Sequence, residues 1–340
     1  MERPPRSRME DVAARAGVSV ATVSRALRGS PLVSAATRAR VLAAADELDF
    51  AVSRLASSLA SGRVGRIAVL MSGRLGSWFN GSVLDGLYDG VRAAGQELVI
   101  FRVADLAERE QFFTRLPVRR NADALVITSF ALTAAERRRL SSIGMPVVYL
   151  NQRVRGFPSV AIDDVAATRL GIRHLINLGH RWPGFVRVIN VAGFSYSALA
   201  RLDGYRAELA AAGAAESDRR VLQASGFTDG DAVVAQLLAY RPPPTALMTE
   251  SDELAMSVIS ACRRVGLRVP QDLSVLGFDD HQQAGPYGLS TVAQPVTELG
   301  RRAAEMALTL AAGERLARRE IDLPTELRLR LTTAAPGGLA

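Results

Sequence analysis

Apolar positions along this chain fall into two textures. Over residues 9–50 they form short helical stripes: Val12, Ala13 and Ala16, then Val23 and Leu27, then Val41, Ala45 and Leu48. Gly17 supplies the left-handed residue that ends the first helix, and Val18 fills the angle before the second. Ser19 is placed to cap the second helix and Ser34 the third, while Asp11 sits at the positive end of the first. Ser7 and Glu10 have the spacing of a capping box. Gly29-Ser-Pro31 breaks the chain between the second and third helices, and Phe50 closes the third. The second helix leaves Val20, Ala21, Ser24 and Arg25 exposed: small apolar groups, a hydroxyl and one guanidinium. That face suits a DNA major groove, where Arg can fork onto a guanine edge and apolar groups can meet thymine methyls.

Residues 53–61 offer only Leu55, Ala56 and Leu59 as an apolar edge, so any helix there needs a partner to hold it. From Gly65 the texture changes. Arg66–Met71 reads as a buried strand, followed by a helical stripe of Val83, Leu84, Leu87, Tyr88 and Val91 that Gly95 ends. Further strands are expected near 97–103, 124–129, 146–150, 185–191, 220–225, 245–249 and 273–277. Helices are expected near 105–116, 133–143, 164–178, 198–212, 229–239 and 252–265. Strand–helix alternation with continuous apolar strands predicts an α/β fold with doubly wound parallel sheets covered on both faces. Residues 65–340 are too many for one such sheet, so two lobes with a cleft between them are expected. No Gly-x-Gly-x-x-Gly follows a strand, which leaves a dinucleotide site unsupported.

Composition narrows the chemistry. The 340 residues carry a net charge of +8, and all 42 basic residues are Arg. Residues 1–63 hold ten arginines against six carboxylates, so half of the net charge lies in under a fifth of the chain. A local basic excess of this kind points to a polyanion. Without Lys there is no Walker-A lysine, no Schiff base and no catalytic lysine. Cys262 stands alone and falls with Ala255, Val258 and Ile259 at helical spacing, as a buried structural thiol would. His174, His180 and His281 make no metal-binding spacing. The basic N-terminus lacks a signal peptide's apolar stretch and no run spans a membrane, so a cytoplasmic location is expected.

Several motifs carry a resemblance when taken together. The head has Asp11-Val-Ala, Ala16-Gly-Val-Ser, Thr22-Val-Ser-Arg and Val33-Ser-x-x-Thr-Arg; the following segment has Arg54 and Leu59-Ala. The core has Gly179-His-Arg, Arg201-x-x-Gly-Tyr205, Gly266-Leu-Arg-Val-Pro-x-Asp-Leu-Ser-Val-x-Gly-Phe-Asp-Asp280, Thr291-Val-x-Gln-Pro295 and Leu323-Pro-Thr-Glu-Leu327. Over nearly its whole length the chain resembles the lactose/galactose-repressor family of bacterial transcription regulators. The resemblance implies a basic arm (1–8), a helix-turn-helix head (9–50), a hinge (51–64) and a periplasmic-binding-protein-like core (65–340). Lobe 1 would comprise about 65–164 plus 293–322 and lobe 2 about 165–291 plus 323–340. The implied function is repression by a homodimer on a palindromic operator, modulated by a sugar-like polar effector in the inter-lobe cleft, with no cofactor, metal or membrane.

DNA contact would fall to Ser19, Val20, Ala21, Thr22, Ser24, Arg25, Arg28, Ser34 and Thr37 in the head. In the hinge it would fall to Ser53, Arg54, Ala56 and Leu59, with Leu59 wedging open a minor-groove step. Effector contact would fall to Trp78, Phe79, Asn151, Arg201, Ser251, Asp252 and Asp279. The chain departs from the family's pattern at Val52, where Pro usually starts the hinge helix, and at Ser53 in place of Asn. It departs also at Ser251 (usually Asn), at Asn80 (often aromatic) and at Asn151 (often Asp), which points to an unusual effector. Asp279 is expected to face the cleft and Asp280 to cap the segment after it; Asp163-Asp164 and Asp229-Gly-Asp231 are expected to be helix caps. The competing readings are a regulator answering to a protein partner, a solute-binding protein sharing the core fold, and an enzyme. The second has no use for residues 9–60, and no nucleophile–base set supports the third.

Overall fold

The computed structural model describes residues 7–27, 30, 32–50, 63–128, 130, 132–189 and 197–337. Hinge positions Ser53, Arg54, Leu55, Ala56 and Leu59 lie outside these, as do Arg28 and the first six residues of the arm. The chain divides into two compact units, Met1–Val64 and Gly65–Ala340.

In the first unit, α1 (Met9–Ala16), α2 (Val20–Leu27) and α3 (Ala35–Glu47) enclose a small core. Val12, Val23 and Val41 are wholly buried there, with Ala13, Ala16, Ala26, Ala44 and Ala45 around them. Gly17 takes φ +66°, and Val18 packs against this core. Ser19 Oγ accepts the Thr22 backbone N–H at 3.2 Å, and Ser34 Oγ accepts that of Thr37 at 3.2 Å. The capping of α1 differs from expectation by one residue. Asp11 accepts the Arg8 backbone N–H at 2.7 Å, whereas the Ser7 hydroxyl donates to the Leu48 carbonyl and pins the chain start to the end of α3.

The second unit holds two six-stranded sheets. The first contains β1 (Arg66–Ser72), β2 (Glu97–Val103), β3 (Ala124–Thr128), β4 (Val147–Leu150), β5 (Ser159–Ala161) and β11 (Glu320–Asp322). Its order is β11-β5-β4-β3-β1-β2, all parallel. The second contains β6 (Gly184–Val188), β7 (Val221–Ala224), β8 (Ala246–Thr249), β9 (Ser274–Asp279), β10 (Ser290–Ala293) and β12 (Glu326–Arg328). Its order is β12-β10-β9-β8-β6-β7, parallel except for the antiparallel β12. The central strands are buried along their whole length, as sheets covered on both faces require.

Helices α4 (Trp78–Ala93), α5 (Leu106–Arg115), α6 (Ala134–Ser142) and α11 (Val296–Ala311) cover the first sheet. Helices α7 (Asp164–Asn177), α8 (Ser197–Ala211), α9 (Gly230–Ala239) and α10 (Asp252–Arg264) cover the second. The chain therefore passes between sheets after β5, after β10 and between β11 and β12. The stripe of α11, the very short β5 and β10, and the half-exposed β11 and β12 are not among the elements read from the pattern. Strands of three or four residues carry too little periodicity, and only pairing makes them strands. Tyr88 is also corrected: it is 51% exposed on the outer face of α4, not part of the inner stripe. Helices α4 and α11 cross at glycines, since a Cβ on Gly86 would lie 1.9 Å from the Thr297 carbonyl oxygen. No described helix is long and apolar enough to cross a membrane.

Candidate functional site

Each unit carries one candidate site. In the head, α2 turns Val20, Ala21 and Arg25 outward, with Ser24 half-buried beside them. Ser19 and Thr22 are joined hydroxyl to hydroxyl at 2.9 Å, as are Ser34 and Thr37. These four residues build the starts of α2 and α3, where unpaired backbone N–H groups and the helix dipole favour a phosphate. Arg15 pairs with Glu47 and ties α1 to α3, and Arg38 donates to the Ser30 carbonyl. The exposed face of α2 thus stands on a fixed three-helix frame.

In the core, buried polar residues collect where the strands of both sheets end. Three non-glycine residues there hold positive φ: Asn151 after β4 (+58°), Asp279 at the end of β9 (+126°) and Asp280 (+62°). Such strained conformations persist where surrounding structure fixes them and concentrate at binding sites. Arg201, 6% exposed on α8, is the hub. Its Nε donates to Asp164 at 2.8 Å, one terminal nitrogen donates to the Glu250 carbonyl and lies 3.8 Å from Asp279, and its guanidinium sits 3.6 Å over the Phe278 ring. Gln294 donates to Asp279 at 2.6 Å. Asn151 on the first lobe donates to Ser197 on the second at 2.9 Å. Trp78 at the start of α4 meets His281 across the same seam, with ring centroids 5.2 Å apart. Phe79 is half-buried beside Trp78.

Of the aspartates, Asp163 and Asp229 stand at helix N-caps as expected and the others differ from their expected roles. Asp163 caps α7 by accepting the Ala166 N–H, but Asp164 is a buried partner of Arg201. Among the described residues Asp280 caps no segment; it holds positive φ and pairs with Arg330 at 2.6 Å and Arg328 at 3.4 Å. Asp229 accepts the Ser225 backbone N–H and hydroxyl, and Asp231 pairs with Arg264. Asp252 is wholly buried, with one oxygen accepting from Thr291 and the other from the His281 N–H, each at 2.7 Å. Its carboxylate lies against Gly277, where any Cβ would meet it at 2.0 Å, so it joins α10 to β9 and β10 rather than opening toward a ligand. Ser251 caps α10 through the Leu254 N–H. Asn80 spends its amide on the Ser72 and Arg74 carbonyls and holds the β1–α4 turn.

Glu250 and the Trp78–His281 contact were not singled out from the sequence, and Gln294 figured there only within the motif Thr291–Pro295, not as a site residue. Glu250 carries a legible signal, a charge directly after the apolar run Ala246–Thr249. Burial pushes its carboxyl up to about 7, against the pull of the Val188 N–H and of Arg201 and Arg187. Burial also raises Asp279 well above the usual range; Arg201 opposes this and nearby Asp252 adds to it.

A helix-turn-helix head and a two-lobed core with a polar seam are the architecture of a DNA-binding transcriptional regulator. Comparison with known proteins agrees. Residues 8–53 match the model of bacterial regulatory proteins of the lacI family, and residues 172–333 match a periplasmic binding protein-like domain. The regulator CelR of Thermobifida fusca is 32% identical over 97% of this chain and 99% of its own. The regulator GntR of Pseudomonas aeruginosa is 30% identical over 96% of both. The lac repressor dimer, solved on operator with the anti-inducer ONPF, superposes with a TM-score of 0.84 at 26% identity, covering 97% of this chain and 100% of that one. The chain belongs to the LacI family of transcriptional regulators.

Proposed function

We propose that this DNA-binding transcriptional regulator represses from a palindromic operator as a homodimer, and that a small polar, sugar-like metabolite held between the lobes modulates it. The observation that carries the effector half is the buried polar seam centred on Arg201. It joins both lobes at the carboxyl ends of their strands, the usual place for ligands in open α/β sheets. A CelR structure holds cellobiose and a lac repressor structure holds ONPG, which supports a ligand of this kind. In the head, the outward Val20, Ala21 and Arg25 support major-groove contact. Leu59, by its sequence place alone, is proposed to wedge the minor groove.

The test is thermal unfolding with and without a panel of sugars, sugar phosphates and nucleosides, since a ligand bound only by the folded state raises Tm by mass action. A compound that raises Tm should also change operator affinity measured by fluorescence anisotropy. Stabilisation with no effect on operator binding would detach the cleft from regulation.

A further inference from the structure

Unspent side-chain oxygens collect in the seam. Among the described residues, Thr128 Oγ1, Asn151 Oδ1, Glu250 Oε2 and Gln294 Oε1 are buried side-chain oxygens with no hydrogen-bond partner. Thr128 ends β3, and the other three directly follow β4, β8 and β10, so all four lie at strand carboxyl ends. The amide orientations are fixed by their neighbours. Gln294 turns its NH2 to the Asp279 carboxylate, and Asn151 turns its NH2 to Ser197, whose hydroxyl is taken by Asp164. What each of these two amides presents unspent is an acceptor.

The charges lean the same way. Asp164, Glu250 and Asp279 are each less than a tenth exposed, and Arg201 is the guanidinium that binds two of them. Arg201 reaches Glu250 only through its backbone carbonyl, and Arg187 on β6 acts on that carboxylate without an ion pair among the described residues. The Glu250 carboxyl, 5% exposed, therefore makes no ion pair among the described residues, although Arg201 and Arg187 lie near it. A neutral sugar hydroxyl would satisfy an acceptor, whereas a cation would in addition favour the ionised form of a carboxyl that burial disfavours.

On the reading that the cleft is the effector site, we propose that the effector is a polyhydroxylated amine, whose protonated nitrogen ion-pairs with Glu250 and whose N–H and O–H groups serve Asn151 and Gln294. An ammonium is a donor-only group carrying a positive charge, the complement of unspent acceptor oxygens beside a carboxyl that makes no ion pair. Buried carboxylates of this kind are retained where a partner completes them.

The probes are matched pairs: glucosamine with glucose, galactosamine with galactose, and glucamine with glucitol. Dissociation constants come from Tm shifts and isothermal titration on the full chain. The amine member of at least one pair should bind tenfold or more tightly than its neutral partner. Glu250→Gln should erase that preference while keeping the fold, and Asp279→Asn should narrow it. Equal or tighter binding of the neutral members overturns the amine but leaves the cleft as an effector site. An amine preference that survives in Glu250→Gln overturns the assignment of Glu250. Absence of binding by every pair overturns this inference, and the broader panel above then decides separately whether the cleft takes a ligand at all.

Discussion

At the scale of single residues, burial decides what each charge does. Arg201 is spent on Asp164 and Asp279 inside the protein, so it is a brace of the seam before it is a hand for ligand. Arg201→Ala strips two buried carboxylates of their partner and should cost about 3–5 kcal/mol in urea unfolding. Glu250 behaves oppositely. Its carboxyl rises from 4.5 to about 7 on folding, so the folded state keeps a proton that the unfolded chain releases. Stability at this group therefore falls as pH rises from about 4.5 to 7, is level above that and unaffected below. Glu250→Gln should match the parent near pH 4.5 and exceed it increasingly up to pH 7; a constant difference across this window would refute the shift. Asp252 rises in the same direction, which is why the comparison is made between parent and variant rather than on the parent alone. Arg25 works at the surface. Arg25→Ala should cost about 1–3 kcal/mol per half-site and relax one base position in a binding-site selection.

At the scale of elements, packing rather than propensity sets what each position tolerates. Gly81 and Gly86 sit on the same helix, α4, and have opposite surroundings. Gly81 has nothing within 4 Å of an added Cβ, whereas Gly86 lies against the α11 backbone. Gly81→Ala should gain about 0.5–1 kcal/mol from helix propensity. Gly86→Ala should lose about 1–3 kcal/mol or more by forcing α4 and α11 apart. Thermal unfolding of the two variants reads the difference directly, and equal effects would contradict the crossing. The small strands obey the same rule. β11 and β12 are half-exposed triplets that exist because β5 and β10 offer them edges.

At the scale of the whole core, the lobes touch across the seam through Asn151–Ser197 and Trp78–His281. His281 accepts the Gln283 N–H on Nδ1, and burial lowers its pKa, which favours the neutral form of the ring facing Trp78. With Trp182→Phe, Trp78 becomes the chain's single tryptophan. A ligand that reorients the lobes should then change its emission, and His281→Ala should abolish most of that change. A ligand that raises Tm while leaving Trp78 emission untouched would mean that the lobes do not move.

The sequence by itself determined what depends on neighbours along the chain. Caps at Ser19 and Ser34, the left-handed Gly17, the strand–helix alternation and the outward face of α2 all come from local periodicity and hydrogen bonding. It could also mark Arg201 and Asp279 as candidates through their motifs. Only the tertiary structure decided which carboxylates surround that arginine. Asp164 lies 37 residues from Arg201, and the adjacent pair Asp279 and Asp280, both at positive φ, diverge, one toward the seam and the other toward β12. The apolar run before it marks Glu250 as a strand end, but its sealing from solvent comes from elements that sequence distance keeps apart until the fold brings them together.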